Sequence, residues 1–131
     1  MTALIIILVL IAGALAWVRL APSDPARWHK PITAEADKDF NGGAIRVIPA
    51  GEDTLARLNE IALATPRTEV LAGSVAEGRI TYITRSKAIG FPDYTTIEQD
   101  GDRVKLYARL RFGNRDLGVN EARLTDWTGR L

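Results

Sequence analysis

The sequence has no cysteine, one histidine and almost no net charge: seventeen Lys and Arg stand against sixteen Asp and Glu in 131 residues, a balance of +1. The first absence removes disulfides, thiolate catalysis and cysteine metal sites together. The second leaves a zinc site or a histidine-based triad nothing to be built from beyond His29, so neither a metal nor a cofactor is expected. The third argues against a generally basic nucleic-acid binder and against disorder driven by charge. Length allows one small domain once any membrane segment is set aside. No internal repeat or low-complexity tract interrupts the chain.

What is present begins with Ala3 to Val18, sixteen residues without a charge, closed by Trp17 as an interfacial aromatic would close it. As a helix this run is about 24 Å long, and roughly 29 Å if Leu20 and Ala21 are added past Arg19, enough to span a bilayer barely. It reads as a retained transmembrane anchor over residues 1–21. Ala14-Leu15-Ala16 has the small-x-small form of a cleavage site and keeps a signal peptide as the alternative, although no Lys or Arg precedes the apolar run. Residues 22–43 read as a proline-punctuated tether that spaces the domain from the bilayer and ends in the Asn41-Gly42-Gly43 turn, with Trp28 either packed against the domain, the reading favoured, or lying on the membrane interface. The single domain is expected over 44–131.

Within that domain, Ile45 to Ile48 has the pattern of a short strand, and Leu55, Leu58, Ile61 and Ala62 recur at helical spacing between Asp53 and Ala64 until Pro66 ends the run. Thr68–Ala76 and Arg79–Arg85 form a hairpin about Glu77-Gly78, expected to pair Val75 with Ile80 and Ala72 with Ile83. A second hairpin turns on Asp100-Gly101, expected to pair Glu98 with Arg103, Ile97 with Val104 and Thr96 with Lys105. Alternation then sets Val104, Leu106, Ala108, Leu110 and Phe112 on a core face and Arg103, Lys105, Tyr107, Arg109 and Arg111 on the other. A last helix from Glu121 to Arg130, capped by Asn120, docks Leu124, Trp127 and Leu131 on the sheet. The order strand, helix, two hairpins, helix predicts an α+β fold: an antiparallel sheet of about five strands with helices on one face.

Arg85-Ser86, Gly90-Phe91-Pro92-Asp93, then Arg111, Gly113, Asp116-Leu117-Gly118-Val119-Asn120 and Arg123 together resemble the signature of the bacterial and plastid family known as domain of unknown function 1499. The resemblance covers roughly Ile45 to Leu131, and its most specific part is the spaced run from Arg111 to Arg123. This chain lacks the cysteine-proline motif that many members carry, and it has Ala108 and Leu110 where serines are usual. Members commonly look exported or lumenal, so the resemblance implies a domain on the periplasmic side of the inner membrane. Arg19, Arg27 and Lys30 after the apolar run argue the other way by the positive-inside rule.

Two chemical readings arise. Arg85, Arg109, Arg111 and Arg123, with Ser86, could converge on an anion such as a lipid headgroup or carboxylate; alternatively the basic stripe is a solvated sheet face. Asp93 and Asp116 could act as an acid pair, but Asp in turns commonly caps backbone N–H groups or pairs with Arg. Gly90, Gly113 and Gly118 supply backbone freedom there, and Phe91 and Asn120 complete the structural motif. No nucleophile, base and orienting group stand at motif spacing. The expected function is therefore a membrane-anchored, non-enzymatic binding module for a lipid or a small anionic or apolar ligand. An accessory subunit docking on other membrane proteins through Ala12-Gly13-Ala14 is the second reading.

Overall fold

The computed structural model describes residues Met1–Leu131. A helix, α1 (Thr2–Leu20), precedes a short helix, α2 (Pro25–Trp28), and then come β1 (Lys38–Phe40), β2 (Gly43–Pro49), α3 (Thr54–Ala64), β3 (Thr68–Ser74), β4 (Arg79–Arg85), β5 (Pro92–Asp100), β6 (Arg103–Leu110) and α4 (Val119–Gly129). The six strands form one antiparallel sheet in the order β1-β2-β6-β5-β4-β3. This is the expected α+β fold with one strand more than expected. Lys38–Phe40, read as part of a loop, pairs with Gly43–Ile45 at the sheet edge. Its three residues are all exposed, so no buried apolar face marked it as a strand.

One face of the sheet carries the main core. Val104, Leu106 and Ala108 of β6 and Ile97 of β5 are fully buried beneath Leu55, Leu58 and Ala62 of α3 and Leu124 and Trp127 of α4. Tyr82 meets Trp127 edge-on at 5.6 Å, and its hydroxyl donates to Asn59 Oδ1 at 2.6 Å. Each aromatic thus buries its ring, and the tyrosine satisfies its polar end.

Both hairpins are displaced from their expected registers. Asp100 pairs with Arg103 and Glu98 with Lys105, so Gly101 and Asp102 are the two turn residues. Gly101 at φ +62° takes the first turn position, where a side chain is disfavoured. The Asp100 carboxylate is thereby free to reach Arg103 at 2.9 Å and Lys105 at 3.2 Å. The displacement is an even number of residues, so each side chain keeps its expected face. The other hairpin pairs Gly73 with Ile80 and Ser74 with Arg79, with a register shift between Val70 and Ala72. An edge strand accommodates such a bulge without disturbing inner ladders.

The largest departure concerns the second face. The basic stripe is not solvated, because residues 22–35 lie across it. Trp28 stacks on Tyr94 at 3.9 Å with the planes 13° apart, and the Arg109 guanidinium lies 5.5 Å from the Trp28 ring and donates to the Trp28 carbonyl. His29 bridges Thr81 Oγ1 at 2.8 Å and Glu77 Oε1 at 2.9 Å. Its ring occupies space that a Cβ on Gly73 would enter, and that Cβ would also meet the Arg79 carbonyl. The Ile32 N–H donates to Glu98 Oε2, while Lys105, only 3 % exposed, donates to the Ile32 carbonyl and pairs with Glu35. Each buried charge on this face has a partner, as burial demands. The segment read as a spacer is a packed layer.

Truncating Trp28 removes the stack and leaves Arg109 beneath a void. Trp28→Ala is expected to lower the unfolding free energy by about 3 kcal/mol, measured by chemical denaturation of the full chain in detergent. A loss below about 0.5 kcal/mol, the size of an ordinary surface change, contradicts this packing.

Candidate functional site

Two loops at one end of the sheet hold the motif residues, and local chemistry fixes both. Between β4 and β5, Ser86 Oγ accepts the N–H groups of Gly90 at 3.0 Å and Phe91 at 2.9 Å, and Arg85 donates to the Gly90 carbonyl at 3.1 Å. Gly90 is buried with φ +84°, and a Cβ there would sit 3.2 Å from the Arg19 side chain. Arg19, in the last turn of α1, uses that space: it donates to the carbonyls of Ile89 at 2.8 Å and Ala88 at 3.3 Å. The apolar helix is thus fastened to the motif loop.

After β6, Asp116 organises the turn into α4. Its carboxylate accepts the backbone N–H groups of Gly118 at 2.9 Å and Asn120 at 3.2 Å. The expected cap, Asn120, does not cap. Gly118 occupies the cap position at φ +82°, and Asn120 is fully buried at the second position of the helix. From there it donates to Asp116 Oδ2 at 2.8 Å and Asp93 Oδ2 at 3.3 Å, and it accepts from Arg123. Arg123 stands 3.6 Å from Asp93. Asp93, Asp116, Asn120 and Arg123 therefore form one network joining β5 to α4. Burial pushes the Asp93 carboxyl up and the Arg123 guanidinium down, each toward neutrality, while their mutual attraction opposes both shifts.

The sheet separates Arg123 from Arg109 and Arg111, while Arg85, at the end of β4, reaches round the sheet end. Of the residues expected to converge, only Arg85, Ser86 and Arg123 line one groove, of about 450 Å³, whose apolar wall is Phe91, Leu110, Phe112 and Val119. Arg109 and Arg111 belong to the opposite face, under the N-terminal layer. Arg109 donates to Thr96 Oγ1 at 2.9 Å, and burial lowers its pKa to about 10. Arg111 donates to the Pro22 carbonyl at 2.8 Å and the Tyr94 hydroxyl at 3.0 Å. Both hold the layer in place. Gly113, at φ +91°, shapes the exit loop.

A second groove of about 570 Å³ adjoins the first through Arg67, Arg85 and Ser86, and adds Arg19, Thr68, Glu69, Lys87 and Gly90. Sequence reading missed Arg19, Arg67, Lys87 and Arg115 as site residues. Arg19 looked like a topology signal, and Lys87 stood beside the Arg85-Ser86 motif without belonging to it. Nothing in a linear pattern shows that Arg67 takes φ +55° after Pro66. The same end exposes large apolar side chains: Ile89 and Phe91 in one loop, and Leu117 and Val119 in the other, with Leu117 90 % exposed at φ +55°.

A family model described as "Protein of unknown function (DUF1499)" matches residues 18–131. Comparison with curated proteins finds no match.

Removing Arg123 strands the Asp93 carboxyl, so Arg123→Ala is expected to cost about 3 kcal/mol near neutral pH. A carboxyl whose folded pKa is raised favours the folded state when protonated; that contribution is full below the unfolded pKa and is lost as pH rises through the folded one. The deficit relative to the unmodified protein should therefore shrink as pH falls from about 7 to about 4.5, read by denaturant midpoints at each pH. An equal deficit at both pH values contradicts the role given to the pair.

Proposed function

The chain belongs to the DUF1499 family, and from that membership and the geometry above we propose that it is a membrane-anchored binding module. The groove walled by Phe91, Phe112 and Val119 takes the apolar part of an amphiphile drawn from the adjoining bilayer. The observation that carries this reading is position. The only helix long and apolar enough to cross a membrane is α1. Its last turn is hydrogen-bonded to the loop that supplies Phe91 to the groove. Lipid chains ending at the helix base would lie beside an apolar groove rimmed by Arg85 and Arg115, and amphiphiles suit a site with one apolar and one cationic wall.

The exposed side chains support the same placement. In water, Leu117 holds its strained backbone and its apolar side chain without compensation. Positive φ costs a non-glycine residue roughly 1 kcal/mol or more. At a membrane interface, burial of the leucine offsets that cost. The reading takes α1 as a retained single-pass anchor in the inner membrane with the domain on the periplasmic side. A reporter enzyme active only outside the cytoplasm, fused after Leu131, is then expected to be active; a silent fusion whose cytoplasmic counterpart is active reverses the orientation.

The binding claim is tested by extracting the full chain in mild detergent and identifying retained lipid by native mass spectrometry. Lipid is expected to copurify with the unmodified protein and to fall about tenfold, equivalent to about 1.4 kcal/mol, with Val119→Glu, a change at a half-exposed site. Equal retention by both proteins, or none by either, contradicts the reading.

A further inference from the structure

The second groove has a character that the apolar one lacks. No hydrophobic residue lines it, and it sets four cations, Arg19, Arg67, Arg85 and Lys87, against the single carboxylate of Glu69. None of the four lies within 4.0 Å of a carboxylate. Arg46, Arg79, Arg103, Lys105, Arg123 and Arg130 have acidic partners, and Arg109 and Arg111 are covered by the N-terminal layer, whose carbonyls they bind; the groove instead gathers four unpaired cations around open space.

The guanidiniums are nonetheless held in place, and by carbonyl groups alone. Arg19 donates to Ile89 and Ala88, Arg67 Nε to the Arg85 carbonyl at 3.0 Å, and Arg85 Nη1 to Gly90. Carbonyls orient a guanidinium without neutralising it, and each of these arginines keeps N–H donors to spare. Ser86 Oγ accepts two backbone N–H groups and donates to nothing, so its hydroxyl proton is also available. Oriented, uncompensated forks beside a free hydroxyl match a tetrahedral oxyanion with several acceptor oxygens.

We propose that this groove binds a phosphate group and that its source is the headgroup of an anionic phospholipid at the end of α1. The proposal rests on the membrane-anchored reading for the source but not for the chemistry. Arg19 is part of both the anchor and the cradle, so the site lies where headgroup phosphates begin. Arg67, Arg85 and Ser86 also border the apolar groove, so one molecule can place its phosphate in the first and its chain in the second.

The test titrates the full chain, in non-ionic detergent, with three probes by calorimetry: dioctanoylphosphatidylglycerol, dioctanoylglycerol, which has the same chains and no phosphate, and inorganic phosphate. Phosphatidylglycerol is expected to bind at least tenfold more tightly than dioctanoylglycerol, with the preference lost in Lys87→Ala and in Arg67→Ala. Both substitutions fall on exposed side chains, and matched thermal unfolding curves confirm that each variant is folded. Inorganic phosphate that binds and competes supports the phosphate site. If it binds while the lipid does not, the phosphate chemistry stands and the lipid source is overturned. Equal affinity for the two dioctanoyl probes, or a preference that survives both substitutions, overturns the proposal. Val119→Glu separates this result from the function above: it should weaken dioctanoylglycerol and leave inorganic phosphate unchanged.

Discussion

The stack of Trp28 on Tyr94 converts what the composition presents as a leash into a structural layer. A free tether of proline and polar residues would leave Lys105, Arg109 and Glu98 on a wet sheet face, with α1 turning independently of the domain. With Trp28 seated, the carbonyls of Pro22, Trp28 and Ile32 accept from Arg111, Arg109 and Lys105, and the sheet is covered on both sides. The same contact shortens the path from helix to domain. Arg19 then reaches the β4–β5 loop, and the end of α1 becomes a fixed neighbour of that loop.

From that constraint follows the concentration of unusual features at one end of the sheet. The two non-glycine residues with positive φ, Arg67 and Leu117, are both there, as are the glycines of the two motif loops and the network from Asp93 to Arg123. Backbone strain persists where surrounding contacts determine it or where the environment compensates it. Here the surroundings are rigid on the protein side, through Asp116 and Asn120, and apolar or cationic on the outer side. A filled core on the helix face and a polar, fully partnered layer on the other leave this end as the surface with uncompensated charge and exposed apolar side chains together.

Much of the frame could be read from residue order. Alternation in β6 placed Val104, Leu106 and Ala108 in the core because a period of two survives a register displacement by an even number. The α3 and α4 stripes were visible because their apolar residues recur at spacings of three and four, the helical period, which no strand register affects. The N-terminal layer was harder to see, since its proline and charge content belongs equally to a linker and its apolar anchors, Trp28 and Ile32, are isolated. One signal was present in β4, whose interior, Ile80 to Thr84, carries no charge, as expected of a strand covered on both faces. The role of Asn120 was misread because Asn commonly starts helices, whereas Gly118, in a left-handed conformation, already held that place. The groove cations came from three separate segments, around residues 19, 67 and 85–87, and only the packed layer brings Arg19 to Arg85.

The absence of cysteine makes the central claim, one fixed end of the domain seated at the bilayer surface, directly measurable. Single cysteines introduced as Ile89→Cys, Leu117→Cys and Ala76→Cys can each carry a nitroxide label in the full chain reconstituted in lipid nanodiscs. Their relative exposure to oxygen and to a water-soluble paramagnet then reports depth. The account predicts that labels at 89 and 117 lie at the lipid interface while the label at 76, in the turn at the far end of the sheet, lies in water. Equal, fully aqueous exposure at all three positions would contradict it.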